Sequence, residues 1–284
     1  MTIAIAVQVH DGVVLASDSA STLVDTTKPP PDNVLNVYNN ANKIFNLRKG
    51  LPIGGMTYGM GSIGSSLIST LAKDLRRRFS GNDKNFLSWH IDESNFTIED
   101  VAIKTREFLY EENFIRLGIP AAPGVQLGFF VAGYSSDAQL SEVWLIEIND
   151  GKCDPPRLVV AQGVATVFAG GDPEVFSRLV LGHGQKLGEA LLGGGVPPQN
   201  VQPIVTSLEA AMHIPLVEAP MPIQDAIEFG EFLVQTTAAF TRFKRGAATV
   251  GGPVESAAIT KHEGFKWVRR KHYFDVAMNP RTDP

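Results

Sequence analysis

The sequence predicts a layered α+β fold, and three observations lead to that expectation. Segments of alternating apolar and polar residues occur in pairs joined by tight-turn dipeptides. Helical periodicity occurs in blocks between those hairpins. Strands and helices do not alternate one by one, as a parallel βαβ sheet requires. With 284 residues, 44% apolar and 19% charged, the chain can bury about three quarters of its unfolded surface without covalent staples.

The first strand spans 2–10: Ile3, Ile5, Val7 and Val9 lie on one face, and Ala4, Ala6 and Gln8 on the other. Asp11-Gly12 is a hairpin turn, and 13–18 is the return strand. Residues 19–41, with Pro29-Pro30-Pro31 and four asparagines, predict a long loop. Residues 43–48 and 52–58 form a second hairpin across Lys49-Gly50. A helix over 62–79 carries Ile63, Leu67, Ile68, Leu71 and Leu75 at helical spacing. A second helix, 98–115, is capped by Thr97 with Asp100 three residues on. Strands follow at 126–134 and 142–148, then at 157–161 and 165–169. Helices are expected at 172–192, 201–212 and 224–244. A hairpin of 254–260 and 265–269 turns about His262-Glu263-Gly264. No repeat or linker divides the chain, so 1–273 is expected to be one domain and 274–284 a flexible tail.

Composition narrows the function. Twenty-five basic against thirty acidic residues leave a formal charge of −5, which argues against a nucleic-acid partner, whose phosphates must be neutralised. Arg76-Arg77-Arg78 complements the C-terminal dipole of its helix. One cysteine, Cys153, and six scattered histidines provide neither a disulfide nor a metal-site spacing. No metal or cofactor is expected. The first basic residue is Lys28 and no apolar run reaches 18 residues, so neither a secretory signal nor a membrane span is expected. A cytoplasmic protein is the expectation.

One glycine-rich segment fits two motifs in part. Gly59-Met60-Gly61-Ser62-Ile63-Gly64 fits the dinucleotide fingerprint, which would make the protein an oxidoreductase. The acidic strand end expected about twenty residues on is missing, however. Ser62 resembles a nucleophile elbow, but Met60 occupies its first glycine position, and Ser62 reads better as a helix cap. What Gly59, Gly61 and Gly64 do offer is backbone N–H groups for an oxyanion.

The N-terminus carries a better constellation. Removal of Met1 would leave Thr2 with a hydroxyl and a free α-amine, the nucleophile and the base of a threonine hydrolase. Such an amine titrates near 7.7–8.0, close to what a general base needs.

Residues 2–18, Thr-Ile-Ala-Ile-Ala-Val-Gln-Val-His-Asp-Gly-Val-Val-Leu-Ala-Ser-Asp, resemble the opening of mature proteasome β-type subunits, which are N-terminal nucleophile hydrolases. The resemblance is greatest to self-assembling bacterial homologues. It places the family's nucleophile on Thr2, its aspartate on Asp18 and its lysine on Lys43 of Lys43-Ile44-Phe45. Its oxyanion glycine falls on Gly61 of Gly61-Ser62-Ile63-Gly64, with Gly59 as the alternative register. Val131-Ala132-Gly133-Tyr134, before Val143-Trp144-Leu145, matches a later hairpin.

The resemblance implies a four-layer αββα sandwich and a threonine endopeptidase. It implies stacked homo-oligomeric rings acting on peptides or unfolded proteins, with an ATPase unfoldase as a candidate partner. The gap from Asp18 to Lys43 is longer than the family's. Gly171, Ala247 and Val250 stand where it has a serine, an aspartate and a second serine. A non-catalytic ring subunit is therefore the alternative within the family.

Overall fold

The computed structural model describes residues 2–25, 28, 33–119 and 125–272. Its strands are β1 (Ile3–Val9), β2 (Gly12–Ser17), β3 (Ser21–Val24), β4 (Val34–Tyr38), β5 (Ile44–Asn46), β6 (Ile53–Gly59), β7 (Ser62–Ile63), β8 (Ser66–Leu67), β9 (Gln126–Gly133), β10 (Glu142–Asn149), β11 (Lys152–Cys153), β12 (Arg157–Val160), β13 (Thr166–Gly171), β14 (Glu255–Thr260) and β15 (Gly264–Arg269). Its α-helices are α1 (Ile68–Phe79), α2 (Ile98–Arg106), α3 (Glu174–Phe176), α4 (Leu187–Gly193), α5 (Pro198–Met212) and α6 (Ile223–Phe243). The fold is mixed α+β. One sheet runs β13-β1-β2-β14-β15 and the other β11-β10-β9-β6-β5, with β12 also on β10. Every strand pairing among the described residues is antiparallel.

The period-two pattern of the first strand explains how the sheets stack. Ile3, Ile5, Val7 and Val9 join Ala226, Ile227, Leu233 and Val234 of α6 in one apolar cluster. Ala4 and Ala6 face the other way, into a cluster with Met56, Tyr58 and Phe130 of the second sheet. The small alanines leave room for those larger side chains, the large-against-small filling that close packing needs. A third cluster seals the far face of the second sheet with Leu71, Leu75 and Phe79 of α1 and Val101 of α2. Every residue of β1 and β2 is buried, so side chains at the ends of both strands are held in fixed positions.

Several elements differ from the sequence reading. The expected loop 19–41 contains the ribbon β3–β4. Neither of its faces is buried, and Leu23 and Leu35 are about half exposed, so no burial period marks it. The helix expected from residue 62 begins at Ile68: Ser62–Ile63 and Ser66–Leu67 form a minimal hairpin turning at Gly64, whose φ is +59°. Leu67 precedes the helix without a side-chain cap bond, so Ser62 is not the cap. Ser62→Ala is accordingly expected to change unfolding free energy by less than about 0.5 kcal/mol, as read by denaturant melts.

Thr97 does cap the second helix, its Oγ1 accepting from the Asp100 N–H at 3.0 Å. That helix then widens to π geometry over Glu107–Ile115. The helix expected over 172–192 is broken at Gly182, left-handed at φ +82°. The expected tail, 274–284, lies outside the described residues. No described helix is long and apolar enough to cross a membrane.

Candidate active site

Three strand ends deliver three side chains to one point. Thr2 precedes β1, Asp18 follows β2, and Lys43 precedes β5 at the edge of the second sheet. The β1–β2 hairpin puts Ala4 opposite Ser17, which sets Asp18 beside the first residues of the chain. The packing of the second sheet on the first then brings Lys43 onto both. Lys43 Nζ donates to Thr2 Oγ1 at 2.8 Å and to Asp18 Oδ1 at 2.7 Å. All three residues are at least 95% buried.

Asp18 is held by main chain on both oxygens. Its Oδ1 also accepts from the Ile3 N–H at 3.1 Å, and its Oδ2 from the Ala20 and Gly251 N–H groups, each at 3.0 Å. A carboxylate with three backbone donors cannot swing, so it fixes the ammonium it pairs with. Burial pushes the Lys43 pKa below its ordinary 10.5, and Asp18 opposes that shift. Together they place a positive charge against the threonine hydroxyl in a water-poor setting, where charge acts strongly.

Thr2, Lys43, Gly59, Met60 and Gly61 line a cavity of about 500 Å³. Gly59 belongs to β6, at φ +84°, where a Cβ would sit 2.0 Å from the Gln126 carbonyl oxygen. The Met60 N–H already donates to that oxygen at 2.8 Å. Gly61 lies beyond the strand end, where a Cβ would meet only Ser21 Oγ, at 2.9 Å. The glycine pattern therefore runs from an antiparallel strand into a small hairpin. It does not run from a parallel strand into a helix N-terminus, so the phosphate cradle of a dinucleotide site is not formed.

The structure also accounts for Gly171. It has φ +94°, and a Cβ there would lie 1.9 Å from the Thr2 carbonyl oxygen. That same oxygen accepts from the Asp172 N–H at 2.7 Å. Gly171→Ala is expected to cost about 1–3 kcal/mol in backbone strain and to displace Thr2. Thermal melting checks the first effect and loss of any Thr2 chemistry the second. Val250 is buried, and its neighbour Gly251 supplies the N–H to Asp18. Ala247 provides no polar group.

Sequence reasoning missed a surrounding network. Lys271 donates to Ser19 Oγ at 2.5 Å and to the Ala41 carbonyl at 2.7 Å, and pairs with Glu255 at 3.0 Å. Burial pushes the Lys271 pKa down, with Glu255 opposing. This second lysine–carboxylate pair ties the segments after β2 and before β5 together, behind Asp18 and Lys43. Nothing local signals it, because Lys271 follows the last strand in a charged run and Glu255 opens an ordinary one.

No protein-family model matches the chain, and no curated protein matches it. Among solved structures it is similar to Anbu, an ancestral beta-subunit, from Yersinia bercovieri. The identity is 13%, with 95% of this chain and 88% of that one covered, at a TM-score of 0.50. The shared feature is the fold.

Proposed function

We propose that the protein is an N-terminal threonine peptidase with a four-layer αββα fold, working inside homo-oligomeric rings on peptides or unfolded proteins. The observation that carries this is the contact of Lys43 Nζ with both Thr2 Oγ1 and Asp18 Oδ1, a buried cation aimed at a hydroxyl on the second residue of the chain. The N-terminal resemblance to proteasome β-type subunits and the β-subunit fold likeness support it.

In this mechanism Met1 is removed and the Thr2 amine is free. The amine takes the Oγ1 proton, directly or through a water, as Oγ1 attacks the substrate carbonyl carbon. Lys43 favours the developing alkoxide by its charge. The Gly61 N–H receives the oxyanion. The protonated amine then gives its proton to the leaving nitrogen, the C–N bond breaks, and an acyl ester on Thr2 remains. A water, deprotonated by the same amine, attacks the ester and restores the hydroxyl.

The pH dependence follows from these roles. Activity rises as the Thr2 amine loses its proton, with an apparent pKa at or below about 8 because cationic Lys43 is nearby. It falls again as Lys43 loses its charge, below the ordinary lysine value of 10.5. A bell-shaped kcat/KM profile on a fluorogenic peptide is expected. A rising limb near pH 4–5 would instead indicate a carboxylate base.

Intact mass and boronate labelling test the proposal. A mass lacking Met1, with a boronate that protects against cleavage and maps to Thr2, is the expected result. A ring retaining Met1 and refusing the boronate would make the protein a scaffold subunit, the reading that Ala247 and Val250 favour.

A further inference from the structure

A second cavity, of about 860 Å³, opens between the edges of the two sheets. Ile44, Phe45 and Asn46 of β5 line one side, and Phe265, Lys266 and Trp267 of β15 the other. Among the described residues each strand is the last in its sheet and pairs with a single neighbour, which leaves outward N–H and C=O groups without a described strand partner, the template to which an extended chain can add.

The charge on this cavity is one-sided. Six cations line it, Lys49, Lys73, Arg76, Lys266, Arg270 and Lys271, against one carboxylate, Glu255. Lys271 is the cation that Glu255 neutralises. Among the described residues no ion pair engages the other five. They are gathered here although the chain as a whole carries −5. Arg270 lies over the ring of Trp267, 5.0 Å from its centroid, and both residues line the cavity. Half-buried Arg76 titrates below its usual value, through burial and the nearby Arg270, as expected where like charges await a counter-charge. Among the described residues the Asn46 side-chain oxygen is buried without a hydrogen-bond partner, an open acceptor on a residue that lines the cavity.

We propose that this cavity binds an extended acidic peptide segment of a partner protein, added as a strand along β5 or β15 with its carboxylates on Arg76, Arg270 and Lys73. The volume falls within the range of built ligand sites, about 300–1,000 Å³. The unpaired edges favour a peptide backbone over a compact anion. The site involves neither Thr2 nor Lys43, so it stands whether or not the protein is a peptidase.

Fluorescence anisotropy of a tagged, capped heptapeptide alternating glutamate with valine tests it on the full chain. Saturable binding that weakens with salt and quenches Trp267 emission is expected. Arg76→Glu with Arg270→Glu should weaken binding at least tenfold with an unchanged melting temperature, and a lysine-for-glutamate peptide should not bind. A glutamate–valine peptide N-methylated on alternate backbone nitrogens should also bind at least tenfold more weakly. Lys73→Glu, at an exposed position, should weaken binding in the same direction if the double variant fails to fold. No saturable binding, equal binding to the folded charge-reversed protein, or equal affinity for the N-methylated peptide would overturn the proposal.

Discussion

Thr2→Ala is expected to lower peptide cleavage by about 10⁴-fold or more, the scale of losing a covalent nucleophile, and to leave the fold intact. The change removes one methyl and one hydroxyl. Lys43 keeps its 2.7 Å contact with Asp18, so the stability cost should be about 1 kcal/mol, that of one ordinary hydrogen bond. Thr2→Ser should keep part of the activity, because hydroxyl and amine both survive. An uncleavable residue before Thr2 should silence the protein, since the amine becomes an amide and a new amine sits up to about 3.5 Å away, beyond the roughly 3 Å reach of a base. Steady-state assays on protein free of other proteases decide the matter. Undiminished cleavage by Thr2→Ala would move the chemistry to a different residue.

Lys43→Met is expected to act on both function and stability. It removes the charge beside Thr2 Oγ1, so cleavage should fall nearly as far as in Thr2→Ala. It also leaves the Asp18 carboxylate buried without its cation, a change that costs about 3–5 kcal/mol when one partner of a buried pair is deleted. For a domain of this size the melting temperature should fall by roughly 10 °C. Combining it with Asp18→Asn removes the stranded charge, and the double variant should recover part of the lost stability and none of the activity. A single variant that melts like the wild type would show that water or another cation reaches Asp18.

The contrast between the two variants reflects how the site is built. The Thr2 side chain contributes one hydrogen bond, to Lys43, and its loss is local. Lys43 and Asp18 anchor three segments, because Asp18 also binds the backbone at Ile3, Ala20 and Gly251. Chemistry and architecture therefore separate at Thr2 and coincide at Lys43.

Local pattern determined much of this molecule. Alternation over β1 and β2 sorted Ile3, Ile5 and Val7 from Ala4 and Ala6, because a strand buried on both faces still divides its side chains by parity. The β1–β2 hairpin turns at His10-Asp11, one residue earlier than the expected Asp11-Gly12, because Gly12 already pairs with Val9 in the ladder, and that register brings Asp18 back beside Ile3. Thr97 announced α2 because a cap is a contact three residues long. The residues brought together as the site, Thr2, Asp18 and Lys43, were each visible at the end of a legible strand, and family resemblance linked them. Tertiary packing decided the rest. The β3–β4 ribbon left no period because solvent bathes its sides. Ile63 looked helical because a buried residue in a hairpin carries the same apolar signal as one in a helix. Gly171 became intelligible only when the Thr2 carbonyl was seen 1.9 Å from where a side chain would begin. Lys271 meets Glu255, and Lys73 and Arg76 of α1 share a cavity with Lys266 of β15 and Arg270 just after it, only across separate elements of the chain. Sequence periodicity records which face of an element is apolar, whereas contacts between distant polar groups depend on how whole sheets stack, and that information is spread over the entire chain.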